Sequence, residues 1–179
     1  LDLLAQAPRT VDELARATEQ STANTSQHLQ ALLSSAPDRI YSAACAIAQL
    51  RDPAELDALS PWVERIERAT AHIALGGALF ANNHHLQFAL RRLRFWRERA
   101  GCLCALYPHY PFFDPRREAT RGHVVIDAVG EAEDGWGEAH AVTCVDCATH
   151  WLATDREYHY PWWEWKLGIS TFEATPTDA

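Results

Sequence analysis

The chain has no methionine, a single lysine (Lys166) and no long apolar run, and each shortage removes a class of function. No stretch approaches the roughly 18 uncharged apolar residues that a membrane-spanning helix needs. The most apolar segment, Ile73 to Ala81, is broken by Asn82, Asn83, His84 and His85. No apolar N-terminal run offers a signal peptide, and the five cysteines are an odd number. A reducing cytoplasm is therefore expected, with thiols used on metal or redox chemistry rather than in disulfides. Positive charge is scarce where the acids gather: residues 101–179 hold thirteen acids against five bases, and that part alone accounts for the formal net charge of −8. Phosphate contacts need Lys and Arg, so a nucleic-acid site is expected elsewhere in the chain. Catalytic signatures are missing too, with no His-Glu-x-x-His, Gly-x-Ser-x-Gly or phosphate loop. Zinc deamination would need a His-x-Glu well upstream and a proline before the paired cysteines. Thr143 stands there instead, and Glu138-Ala139-His140 is reversed and too close. The chain is not expected to be an enzyme.

What is present is an ordinary globular composition, 47% apolar and 22% charged over 179 residues, enough for one large domain or two small ones. The first third reads as short helices. Thr10-Val11-Asp12-Glu13 fits a capping box, in which the hydroxyl takes a free backbone N–H and Glu13 reaches back. After Thr18-Glu19-Gln20-Ser21 a second helix is expected from about Thr22 to Leu33, burying Ala23, Leu29, Leu32 and Leu33. Two short helices joined by a tight turn make a helix-turn-helix. On its second helix Asn24, Thr25, Gln27 and His28 are the candidates for base edges, since Asn and Gln pair bidentately with adenine. Ser21 and Thr22 are candidates for phosphates at the helix N-terminus. Arg39, with Arg9 and Arg16, is a nearby cation.

The run "LDLLAQAPRTVDELARATEQSTANTSQHLQALL" resembles the helix-turn-helix of ArsR-type winged-helix repressors, in both its "LLAxGPxSVxELAxATGLS"-like approach and its "SxANxSQHLxxL"-like recognition helix. The resemblance is contiguous over residues 1–33 and thins over 34–75. It implies a winged-helix domain, double-stranded DNA as partner, a homodimer and a small-molecule or metal effector. A basic two-strand wing would come next, and Ser34 to Tyr41 is read as its outgoing strand. Leu50-Arg51-Asp52-Pro53, followed by Glu55, Leu56 and Leu59, resembles the start of the dimerising last helix. Of the metal-sensing patterns of such repressors the thiolate one is absent, since Val11 to Ala15 has no Cys-x-Cys, and the interfacial one is only hinted at by Thr70-Ala71-His72 and His84-His85, without the acids.

Helical spacing returns over Pro61 to Ala100, with Trp62, Val63, Ile66, Ala69 and Ile73 in one helix and Leu86, Ala89, Leu90, Leu93 and Trp96 in another, broken at Gly76-Gly77. The stripe Arg91, Arg92, Arg94, Arg97 and Arg99 reads as a solvated face or one paired with the acidic C-terminal part, in preference to a phosphate stripe.

After Ala100 the texture changes. Three prolines within Tyr107 to Pro115 rule out regular helix there. Strands are expected at Val124 to Ala128, His140 to Cys144 and Trp151 to Thr154, with a turn over Glu131 to Gly137. Four cysteines lie here as Cys102-Leu103-Cys104 and Cys144-Val145-Asp146-Cys147. Both sulfurs of a Cys-x-x-Cys turn converge, and an extended Cys-x-Cys puts both on one face, so the two pairs supply the corners of a tetrahedral zinc site. Such a site is closed, hence structural or sensory. His109, His123, His140, His150 and His159 are read as hydrogen-bonded structural residues, Cys45 as small apolar packing, and the run Tyr158 to Trp165 mostly as core.

The expected fold is α+β: a winged-helix-like domain at 1–60, a helical connector at 61–100 that dimerises the protein, and a small cysteine- and tryptophan-rich β domain at 101–179 with a zinc-ribbon-like knuckle. The expected function is a DNA-binding transcriptional regulator with an appended zinc domain. The alternatives are a zinc-stabilised protein-interaction module that binds no DNA and a thiol redox protein.

Overall fold

The first described helix, α1, spans residues 23–32 of a computed structural model that describes residues 23–77, 81–156 and 162–168. The chain divides into two compact units, Leu1–Ala100 and Gly101–Ala179. Of the four apolar residues expected to be buried on α1, Leu32 is buried, Leu29 and Leu33 are half-buried and Ala23 is exposed.

In the first unit α1 is followed by α2 (Pro37–Gln49), α3 (Pro53–Leu59), a 3-10 turn at Ser60–Trp62, α4 (Val63–Thr70) and α5 (Asn83–Arg97). Both α2 and α3 begin on proline, whose fixed φ suits the first turn and whose missing N–H would have no helical partner anyway. The Asp52 carboxylate caps α3 by accepting from Ala54 N and Glu55 N. The expected wing strand is corrected by α2: Pro37 to Tyr41 is helical, because Ile40, Ala43, Ala44, Ile47 and Ala48 recur at helical spacing and all five are buried. Between α4 and α5 the chain turns at Gly76 and Gly77, both at positive φ. Asn83 pins this loop by accepting from Leu75 N and donating to Ile73 O.

The core of this unit is aliphatic. Ile40, Ile47, Leu56, Leu59, Val63, Ile66, Leu86, Leu90 and Leu93 are at most 1% exposed, as α5 packs chiefly on α2 and less extensively on α3 and α4. One arginine joins them: Arg92, 1% exposed, donates to Leu50 O at 2.6 Å and Ala48 O at 3.3 Å, satisfying carbonyls at the end of α2 that have no helical donor. Three more arginines of the stripe pair with acids of their own unit. Arg94 meets Glu67 at 2.5 Å, Arg97 meets Glu64 at 2.7 Å and Arg99 meets Asp57 at 2.5 Å.

The second unit opens with a 3-10 segment, Leu103–His109, then α6 (Pro115–Thr120), β1 (Val124–Glu131), β2 (Glu138–Cys144), β3 (His150–Asp155) and β4 (Trp163–Leu167). The strands form one antiparallel sheet in the order β1-β2-β3-β4. Register puts Cys144, Val142 and His140 of β2 on the same face as Trp151 and Ala153 of β3 and Trp165 of β4. That face is buried against aromatic side chains: Tyr107 lies 4.3 Å from Trp165 and 4.9 Å from Phe113, centroid to centroid. The Trp165 indole N–H donates to Phe113 O, and Trp163 N donates to Pro111 O. The β1–β2 turn needs glycine at 137, where φ is +84° and a Cβ would stand 2.8 Å from Asp155 O. Among the described residues no helix is long and apolar enough to cross a membrane.

Candidate metal centre and nucleic-acid interface

The fold carries the two cysteine pairs to one point. Cys144 ends β2 and Cys147 closes the tight turn into β3, in which Ala148 N donates to Cys144 O, Cys144 N donates to Thr149 O, and Ala148 takes a φ of 56°. The turn is anchored to the approach of β1 by Val145 N, which donates to His123 O at 3.0 Å. The other pair sits at a corner rather than on a strand: Cys102 is extended (φ −68°, ψ 140°) and Leu103 begins the 3-10 segment. Its sulfurs therefore converge through the change of backbone direction, not through the pleat expected of an extended Cys-x-Cys.

All four sulfurs lie within 4.8 Å of one another. Cys102 Sγ is 3.6 Å from Cys144 Sγ, and Cys104 Sγ is 3.4 Å from Cys147 Sγ. A tetrahedron with metal–sulfur bonds of about 2.3 Å has edges of about 3.8 Å, so the cluster already has the size of a four-thiolate site. No histidine or carboxylate joins it among the described residues. His123 contacts Glu118, His140 is buried against Glu138 and Trp163, and His150 bonds Thr143. His109 lies in the exposed part of the 3-10 segment, and His159 lies outside the described residues.

The protonation chemistry points the same way. Burial pushes the Cys102 thiol up to about 11 and, with the neighbouring Cys147 sulfur, lifts Cys104 beyond the ordinary thiol range. Burial also raises Cys147, but the Thr149 hydroxyl at 3.1 Å and the Thr149 backbone, with the Cys104 and Cys102 thiols, outweigh it and bring Cys147 down to about 6. Without a cation Cys147 is thus the sulfur that favours the anion, while Cys102 and Cys104 resist ionising. A divalent ion held by the four sulfurs would offset that resistance by favouring the thiolates. The Trp151 indole N–H fits this donor set as well. It is buried without an oxygen or nitrogen partner and acts on the Cys104 sulfur, lowering its pKa.

One carboxylate joins the 3-10 segment that holds Cys104 to the approach of β1, against which the Cys144–Cys147 turn is anchored, and sequence reading passed over it. Glu118, 2% exposed, accepts from Tyr107 Oη of the 3-10 segment at 3.1 Å and lies 2.8 Å from His123 Nδ1. Arg121 reaches its other oxygen at 3.1 Å. Asp114-Pro115 was the available signal, since the Asp114 carboxylate caps α6 just as Asp52 caps α3. Cys45 is half-buried in α2, where burial raises its thiol pKa while a hydrogen bond with Tyr41 lowers it.

The helical unit disposes its candidate DNA residues unevenly. Ser21 and Thr22 lie outside the described residues. Asn24 is turned inward, its amide donating to Glu55 Oε1 of α3 at 3.3 Å, and Thr25 Oγ1 is buried without a partner. Gln27 and Arg39 are exposed and His28 is half-buried, and these three line one groove between α1 and α2.

Residues 1–35 match the family model described as bacterial regulatory protein, arsR family. The matched segment contains α1 and stops before α2, so the resemblance read from the sequence and the family match cover nearly the same residues. No curated protein and no solved structure matches the chain.

Proposed function

We propose that the protein is a sequence-specific DNA-binding regulator of transcription whose second unit is held together by one zinc ion on Cys102, Cys104, Cys144 and Cys147. The observation that carries the reading is the arsR-family match over residues 1–35. The exposed Gln27 and Arg39 and the half-buried His28 support it as the groups free to meet DNA. Zinc is the ion that four thiolates at this spacing favour, and a closed site leaves no coordination position for an activated water. The metal is accordingly structural, and the protein acts by binding rather than by catalysis. It works in the cytoplasm as a homodimer, reading two half-sites, with Arg39 in the first turn of α2 among the groups that meet DNA.

One observation favours a second reading, a zinc-stabilised interaction module that binds no DNA: Asn24 is spent on Glu55, and Arg94, Arg97 and Arg99 are paired with acids. Selecting duplexes from a random library with the full chain, then measuring anisotropy from 50 to 200 mM salt, separates the two. A regulator binds selected duplexes with an affinity that falls steeply with salt, and Gln27→Ala relaxes its sequence preference. Absence of binding at low salt leaves the interaction module.

A further inference from the structure

We propose that the groove between α1 and α2 binds a small ligand bearing a phosphate monoester, and that this ligand and DNA exclude one another there. The proposal rests on the regulator reading and names what regulates it.

The groove is open to solvent, has a volume of about 410 Å³, and its polar wall is Gln27, His28, Gln30, Arg39 and Ser42. That volume falls within the usual range of small-molecule clefts. The groove's remaining lining is small: Ala31 of α1 and Ala43 and Ala46 of α2.

The chemistry of the wall is one-sided. Among the described residues no carboxylate lines the groove, in a chain whose acids outnumber its bases by eight. Arg39 is exposed and makes no ion pair or hydrogen bond among the described residues, while Arg92, Arg94, Arg97 and Arg99 of the same unit are all engaged. A guanidinium fork, the Gln27 carboxamide, a hydroxyl and the second N–H of Gln30, whose amide also donates to Ser26 Oγ at 3.3 Å, offer more donors than the two oxygens of a carboxylate can accept. The three terminal oxygens of a phosphate monoester suit them better, and a bidentate arginine contact is the strongest component of such recognition. Gln27, His28 and Arg39 are also the groups free to meet DNA, so an occupied groove withholds them.

The test titrates inorganic phosphate and pyrophosphate into the full chain at constant ionic strength, with chloride as control, following backbone amides by two-dimensional NMR. The same solutions are then added to the chain bound to a library-selected duplex. Saturable shifts confined to residues 27–31 and 39–46 are expected, at least tenfold weaker in Arg39→Ala, partly retained in Arg39→Lys and abolished by Ser42→Glu. Far-UV circular dichroism establishes that each variant is folded. Phosphate should release the duplex at concentrations where chloride does not. Linear shifts that Arg39→Ala leaves unchanged, in a chain that still binds DNA, overturn the anion site and leave the regulator standing. Saturable phosphate binding in a chain that binds no duplex supports the anion site and overturns both the regulator reading and the competition.

Discussion

The two units solve the problem of a small core by different means. The helical unit buries leucine, isoleucine and valine from five helices and needs one buried arginine to close the end of α2. The second unit spans 79 residues from Gly101 to Ala179, and its core is built largely from Tyr107, Tyr110, Phe113, Trp151, Trp163 and Trp165 around two buried cysteines. Domains of this size bury a modest share of their surface and often need a metal or disulfides to be stable. The difference teaches where stability resides: in distributed methylene packing on one side, and in a single centre on the other.

The sharpest way to break that contrast is to remove the centre. Chelation or Cys144→Ser should abolish the cooperative near-ultraviolet transition of the Trp-rich unit, since structural zinc contributes on the order of 10 kcal/mol in small domains. The helical far-ultraviolet signal should survive. A single transition lost from both units together would show that the contrast is false. Next in size, Arg92→Met strands the carbonyls of Ala48 and Leu50 and should cost the helical unit about 3 kcal/mol in urea unfolding, with the metal content unchanged. Glu118→Gln weakens the bonds from Tyr107 and His123 that join the 3-10 segment to the approach of β1. It should lower the stability of the second unit by about 2 kcal/mol, read from its thermal transition. Gly137→Ala, strained by φ and by Asp155 O, should cost about 1–3 kcal/mol there and leave the helical unit unaffected.

The smallest effect concerns pH. In the metal-free protein Cys147 ionises well before Cys102, with a pKa of about 6 against about 11. Thiolate is the reactive form, so alkylation of Cys147 should rise as pH increases through 6, while Cys102 stays unreacted until strongly alkaline pH. Mass spectrometry after iodoacetamide treatment at pH 5 and pH 7 checks the order. Metal-loaded protein should show neither reaction.

Much of this contrast was legible in the sequence, because its signals are local. The Cys-x-Cys and Cys-x-x-Cys spacings, the alternation in β1 to β3 and the helical recurrence in α5 each operate over a few residues. The strand β4 was not separated from its aromatic run, because Trp163 and Trp165 alternate inside a stretch that is apolar and aromatic almost throughout. The short helix α6 was hidden by the prolines around it, although Asp114-Pro115 carries the same cap as Asp52-Pro53. The wing strand was read from resemblance against a clear helical spacing in Ile40, Ala44 and Ile47, and the spacing prevailed. Which partner an exposed-looking polar residue chooses is a long-range matter. The bond from Asn24 to Glu55 spans 31 positions, and nothing local announces it.

The central claim is that four thiolates and one metal ion hold the second unit. Metal content of the purified full chain, measured by plasma mass spectrometry alongside its thermal unfolding, tests it most directly. The account predicts one zinc per chain, lost in Cys144→Ser together with the transition of the Trp-rich unit. A metal-free chain that retains that transition would contradict it.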